Sequence, residues 1–143
     1  MIILDTNVLS EVLRITPAPQ VLQWLNALTP NSVYVTSITK AEMQLGVALL
    51  PKGKRRDALS VQVTSLFEQH FKQHCLPFDA DAATFCADIV ADRQRAGKPI
   101  STEDAQIAAI AVCGGYELAT RNVSDFAVIA GLTLVNPWDA VTI

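Results

Sequence analysis

The chain is short of several things, and each shortage closes off a class of protein. Its three cysteines, Cys75, Cys86 and Cys113, are odd in number and have no CxxC spacing, so neither a disulfide framework nor a thiolate zinc site is expected. They read as reduced, buried small hydrophobes. Basic residues are a minority, 11 Lys and Arg against 14 Asp and Glu, for a net charge of -3. No global positive field would gather nucleic acid, so any nucleic-acid role must rest on a local site. No basic stretch leads into an apolar signal-peptide core, and no uncharged apolar run approaches the roughly 18 residues of a membrane span. The expectation is a cytoplasmic protein without a membrane partner. The turn after the first apolar run, "LDTN", contains no glycine, which excludes the glycine-rich phosphate cradle of a dinucleotide-binding domain.

What remains is a chain of 143 residues, half of them apolar, the size of one domain (1–143) with one real core. Short apolar runs alternate with longer segments of helical spacing. The runs predict strands over Ile2–Leu4, Val33–Val35, Cys75–Pro77 (weakly), Glu117–Thr120 and Thr133–Val135. Between them, Val8–Leu13 and Val21–Leu28 predict short helices, the second entered after Pro19. A helix begins at Thr36 or Ser37, and a long amphipathic one covers Arg55–Phe71. Asp79 or Asp81 caps the next, which Gly97 and Pro99 stop. Ser101 caps the last, "STEDAQIAAIAVCGG", which carries acids in its first turn and two glycines past its end. Strand and helix alternate without a hairpin signal, so the fold class is α/β: a three-layer α/β/α sandwich around a mostly parallel sheet.

Within that architecture four acids stand out. Asp5 ends the first strand, and in an open parallel sheet the ligand crevice lies beyond the carboxyl ends of the strands. Glu42 interrupts a mostly apolar stretch near the start of the third helix. Asp104 lies in the first turn of the almost wholly apolar last helix, and Asp125 follows the fourth strand in "LATRNVSDF". Any one of them could be a cap or a dipole complement, worth roughly 0.3–1 kcal/mol. Four acids on one predicted edge are harder to explain that way, because like charges raise each other's pKa and a divalent cation is the usual remedy. Carboxylate-only ligands favour Mg²⁺ or Mn²⁺ over zinc. A haloacid-dehalogenase phosphatase also places an Asp after its first strand, but it needs a second Asp two residues on, where this chain has Asn7.

The stretches "IILDTNVLSE", "TSITKAEMQLGVALL", "PISTEDAQIAAIA" and "LATRNVSDF", with the closing "VNPWD", resemble the PIN-domain ribonucleases, in particular the VapC- and FitB-type toxins of bacterial toxin–antitoxin pairs. The resemblance covers nearly the whole chain. It implies a PIN-like α/β/α fold, a Mg²⁺-dependent endoribonuclease activity and a homodimer. It also implies a cognate antitoxin that blocks the site and binds operator DNA through its own domain. By motif, Asp5, Glu42 and Asp104 are the acidic triad, and either Asp125 or the position of Asn122 supplies the fourth group. Thr6, Asn7 and Thr120 match polar positions that line such sites. Asp5 and Asp104 are the first choice as direct ligands of one or two ions, with Glu42 and Asp125 acting through bound water. The basic run Lys52, Lys54, Arg55, Arg56 reads first as a solvated helix start and second as an RNA contact. Arg121 is the better-placed phosphate contact, or else a partner of Asp125. An antitoxin segment would present an Arg to the acids and apolar side chains to a groove around Leu9, Leu13, Leu45 and Leu49. The rival reading is a non-catalytic RNA-binding or protein-interaction module on the same fold.

Overall fold

The three residues of the first strand, β1 (Ile2–Leu4), are buried on both faces. Ile2 and Leu4 pack into one hydrophobic cluster and Ile3 into another, the alternation that period-2 geometry dictates for a strand sandwiched between two helical layers. The computed structural model describes residues 1–139. Over them β1 is followed by α1 (Thr6–Val12), α2 (Pro19–Asn26), β2 (Val33–Thr36), α3 (Ser37–Ala48) and α4 (Lys54–Ser65). Then come β3 (Cys75–Leu76), α5 (Ala80–Arg95), α6 (Thr102–Gly114), β4 (Glu117–Ala119) and β5 (Leu134–Val135). The sheet order is β3-β2-β1-β4-β5 with every neighbouring pair parallel. This is the predicted α/β/α sandwich, and the predicted element boundaries shift by only a few residues.

The order explains the layers. The chain steps outward from β1 to β2 to β3, then jumps back across β1 to β4 and β5. Parallel crossovers are right-handed, so reversing the direction of travel sends the connecting helices to the opposite face. Residues of α1 to α4 accordingly pack with Ile2, Leu4, Val33 and Val35, while α5 and α6 pack with Ile3 and Leu118. The point of reversal, between β1 and β4, is where such sheets open a crevice at their carboxyl edge.

Local chemistry fixes the ends. Thr36, Asp79 and Ser101 each accept a backbone N–H with their side chain at the start of α3, α5 and α6. Gly115 closes α6 in the left-handed region (φ 72) while the Tyr116 N–H reaches back to the Ala111 carbonyl at 2.9 Å, the glycine stop expected of that conformation. One predicted helix, 55–71, proves to be two pieces: α4 gives way to a π turn over Leu66–His70. The Phe71 N–H closes on the Leu66 carbonyl at 2.8 Å, and the wider turn lets Leu66, Phe67 and Phe71 all face the core.

The proposed apolar groove is corrected. Leu9 is 2% exposed and Leu13 packs against the same cluster, so both belong to the core, whereas Leu45 and Leu49 are exposed at 58% and 75%. The helical spacing of α1 is thus the spacing of its buried face. No helix among the described residues is long and apolar enough to cross a membrane.

Ile3 is fully buried at the centre of the sheet, so Ile3→Ala is expected to cost about 2–5 kcal/mol. Urea melts should show a lower midpoint at an unchanged slope. A shift below about 1 kcal/mol would mean that the α5–α6 layer does not depend on β1 as described.

Candidate active site

Asp5 leaves the carboxyl end of β1 and is itself 4% exposed. Its Oδ1 accepts the Thr6 N–H at 2.8 Å, and its Oδ2 accepts the Thr120 hydroxyl at 2.7 Å and the Asn7 amide at 3.1 Å. Thr120 comes from the end of β4, the neighbouring strand at the crossover reversal. Its hydroxyl oxygen also accepts the Asn122 N–H at 3.0 Å and the Asn7 amide at 3.3 Å. Asn7 in turn accepts the Arg121 N–H at 3.2 Å. Asn7 and Thr120 thereby tie the loop after β4 to the start of α1.

Glu42 lies on the second turn of α3, and its Oε1 accepts the Thr6 hydroxyl at 2.9 Å. A hydroxyl has one proton to give. With the Thr6 proton committed to Glu42, the 2.9 Å contact between Thr6 and Thr39 must be donated by Thr39, which in turn receives the Thr36 proton at 3.4 Å. Three threonines from β2, α3 and α1 thus form a directed chain ending on the Glu42 carboxylate. Thr36 and Thr39, both fully buried, are site residues that sequence reasoning missed.

Asp104 sits in the first turn of α6 behind the Ser101 cap. Asp125 lies in a 3-10 turn over Val123–Phe126. Together with Arg93, Pro99, Ile100 and Ser101 they line a cavity of about 160 Å³. Asn122 spends its backbone on that turn: its carbonyl accepts the Asp125 N–H at 3.0 Å. Arg93 is only 7% exposed and is the second group the sequence reading passed over.

The electrostatics separate these acids from the rest of the molecule. Burial pushes the Asp5 carboxyl above its ordinary value and the Glu42 charge adds to it, while hydrogen bonds from Thr120, Thr6 and Asn7 pull the other way. Glu42 is raised by burial, then by Asp104 and Glu103, against the Thr6 hydrogen bond. Asp104 is raised by burial, then by Asp5, Asp125 and Glu103, against Ser101. Glu11 shows the contrast. It is nearly as inaccessible as Asp5, yet its carboxyl is lowered because the Ala18 N–H and the Arg14 guanidinium satisfy it. Asp5, Glu42 and Asp104 feel other acids, and among the described residues none of them forms an ion pair.

One of the two readings of Arg121 is excluded, and the basic run is the solvated helix start that its first reading gave. Arg121 does not pair with Asp125; among the described residues its guanidinium lies over the Trp138 ring, 4.9 Å from the centroid. The basic run follows the C-terminal end of α3, whereas Glu42 is near its N-terminal end. Arg56 there lines a separate cleft of about 210 Å³ with Gln44, Val47 and Ser60. No three Asp, Glu, His or Cys side chains among the described residues converge as a ready-made ligand set. The donors are all oxygen and raise one another's pKa, which suits a hard cation that keeps several of its waters.

Acids from the end of β1, the start of α3, the start of α6 and the turn after β4, gathered where a parallel sheet reverses its order, place this chain in a definite class. A family model described as the PIN domain matches residues 2–132, and the chain belongs to that family. It is 40% identical over 139 residues to the VapC ribonuclease Y4jK of Sinorhizobium fredii, covering 97% of this chain and 99% of that protein. It is also 40% identical over 138 residues to the toxin FitB of Neisseria gonorrhoeae, covering 96% and 99%. The solved structure of FitAB bound to an IR36 DNA fragment matches it with a TM-score of 0.91 at 39% identity, over 99% of both chains.

Raised carboxyl pKa values carry a stability cost that is absent below the unfolded-state pKa and complete above the folded-state pKa. Asp104→Asn removes part of that cost, so at pH 7 without added metal the variant should melt about 1–3 °C higher than the parent. The difference should shrink as pH falls into the ordinary carboxylate range, where Asp104 takes up a proton. A variant that melts lower at pH 7 would show that Asp104 is net stabilising and refute the repulsion.

Proposed function

We propose that this protein is a Mg²⁺-dependent endoribonuclease acting as the toxin of a toxin–antitoxin pair, with Mn²⁺ as a substitute ion. The observation that carries the reading is the set of mutually repelling carboxylates of Asp5, Glu42 and Asp104 at the sheet's switch point. The names of its relatives, a VapC ribonuclease and a FitB toxin, support the same conclusion. Asp5 and Asp104 would hold the ion directly, with Glu42 and Asp125 acting through its waters. When bound, such an ion acidifies a water and neutralises charge growing on the phosphate during in-line attack. The chain's own groups do the rest. Thr120, Asn7 and the Thr6 amide fix the Asp5 carboxylate: Oδ2 spends both lone pairs on Thr120 and Asn7, and Oδ1, which accepts only the Thr6 amide, keeps one free. The threonine chain holds one oxygen of Glu42 and leaves the other for water. A non-catalytic module would leave the repulsion without a purpose.

The partners follow from the same reading. RNA is the substrate, a homodimer is the working form, and the location is the cytoplasm. The FitAB complex with DNA supports a cognate antitoxin that binds this protein and operator DNA. Its blocking segment would aim an Arg at the carboxylates, because a guanidinium forks onto two oxygens and takes the place of the ion's charge. Leu45 on α3 and Leu49 just past its end, both exposed, supply the apolar contact.

Asp5→Asn should lower Mn²⁺-dependent cleavage of mixed RNA by roughly a hundredfold or more with a native circular dichroism spectrum. Millimolar Mn²⁺ should raise the melting point of the parent by about a few degrees and that of the variant by less. A folded Asp5→Asn protein that cleaves as well as the parent would refute the assignment. For the partner, Leu45→Glu with Leu49→Glu should weaken binding of the antitoxin encoded by the neighbouring reading frame about tenfold or more. The melting point of the isolated protein should not move; unchanged binding would place the antitoxin elsewhere.

A further inference from the structure

Arg93 is a guanidinium that is only 7% exposed and yet, among the described residues, makes no ion pair. The ion pairs among the described residues join Arg14 to Glu11 and Arg95 to Asp92. Burying a charge is costly unless strong hydrogen bonds compensate, and here all of those described go to main-chain carbonyls. The Nε donates to Lys98 at 2.7 Å, and one terminal nitrogen, Nη1, donates to Asp125 at 2.8 Å and to Ala127 at 3.3 Å. Lys98 belongs to the turn that leads from α5 into Ser101 and Asp104, and Asp125 and Ala127 belong to the turn after β4. One side chain therefore joins the two segments that carry the acids of the 160 Å³ cavity, and it lines that cavity itself.

The backbone next to Ala127 adds an independent observation. Val128 has φ 63, the one non-glycine residue at positive φ among those described, and it is 85% exposed. A β-branched residue adopts that conformation only where its surroundings over-determine it. Val128 has no core packing to hold it, whereas the carbonyl just before it is fixed by Arg93. An arginine fits the task because its planar fork addresses several carbonyls at set angles, which a lysine's single ammonium cannot do.

We propose that Arg93 is a positioning residue for Asp125: by clamping the Lys98, Asp125 and Ala127 carbonyls, it holds the Asp125 carboxylate at the rim of the cavity opposite Asp104. This rests on the reading of Asp125 as the fourth acid of a metal-dependent ribonuclease, and it goes beyond that reading in assigning the clamp. In this role the effect of Arg93 on cleavage passes through Asp125.

The experiment has two arms on the full-length protein. Amide hydrogen exchange needs no RNA. Arg93→Lys should speed exchange about ten- to thirtyfold in the 123–127 segment and leave the β1 and α6 amides within about twofold. In the cleavage arm, Arg93→Lys should lower kcat about tenfold with KM for RNA unchanged, and should have almost no effect in an Asp125→Asn background, the signature of two residues acting as one unit. Arg93→Gln, which retains fewer donors, is the second variant and should reproduce both patterns. Asn122→Ala should leave the coupling between Arg93 and Asp125 intact. Losses that multiply in the double variant, or exchange that rises equally throughout α5 and α6, would overturn the positioning role. If neither variant folds, Arg93 is a core residue and the proposal is wrong. If the parent protein cleaves no RNA with Mn²⁺, the ribonuclease reading falls, while the exchange arm still decides whether Arg93 holds the Asp125 turn.

Discussion

The structure depends on a buried carboxylate at the end of its central strand. Asp5 has almost no contact with solvent, so its charge must be satisfied from within, and the donors come from both sides of the crossover reversal. Thr6 belongs to α1 and Thr120 follows β4. A single group therefore registers the end of β1 against the end of its neighbour and starts the first helix. This dissolves the contrast between a cap and a functional acid. Asp5 accepts the first amide of α1 as a cap does, and the same hydrogen bonds hold the remaining lone pair of its Oδ1 at the crevice.

Comparison of Glu11 with Asp5 shows what the site lacks. Both are acids on or beside α1 and both are inaccessible. Glu11 is met by Arg14 and a backbone N–H, and its carboxyl is lowered. Asp5 receives hydrogen bonds, yet burial raises it and the Glu42 charge adds to the rise. Hydrogen bonds alone do not offset the cost of burying this charge. A fold that keeps acids from four segments within reach of one another, while a neutralising cation serves Glu11 a few residues away, carries a standing cost at one place. Unfavourable charge collected at a single crevice is what a bound positive group would relieve.

Much of this was legible in the sequence because it follows from patterns with a fixed period. The unbroken run Ile2–Leu4 announced a strand buried on both faces, and the alternation of runs with helical spacing gave the parallel sheet. The acids were legible as polar interruptions of apolar segments at strand ends and first turns. What escaped depends on the third dimension. Thr36 and Thr39 look like ordinary helix-start residues, and only the approach of α1 to α3 turns them into a chain of hydroxyls ending at Glu42. Leu9 and Leu13 have the same spacing as Leu45 and Leu49, and periodicity cannot say which stripe meets a neighbour. Arg121 sits four residues before Asp125 in sequence, but its side chain turns to Trp138. Arg93 did leave a trace. Ala82, Cys86, Ile89 and Arg93 are spaced by four, three and four residues, so a basic residue stands on the buried stripe of α5.

The acids also come from different layers, and this determines how the site responds to change. Glu42 belongs to α3, in the layer that packs on Ile2 and Leu4. Asp104 belongs to α6, in the layer that packs on Ile3. Asp5 comes from the sheet between them, and Asp125 from a turn that the α5–α6 layer reaches through Arg93. The spacing of the carboxylates is thus set by how two separate hydrophobic clusters seat on one sheet, not by any single loop. Packed interiors are stiff at the scale of a methylene, so each layer delivers its acid to a reproducible place even though the acids repel. A positive group bound among them, ion or guanidinium, would draw on both layers at once. Its affinity would therefore report the packing of the whole sandwich, and a substitution deep in either cluster would reach the site without touching any acid.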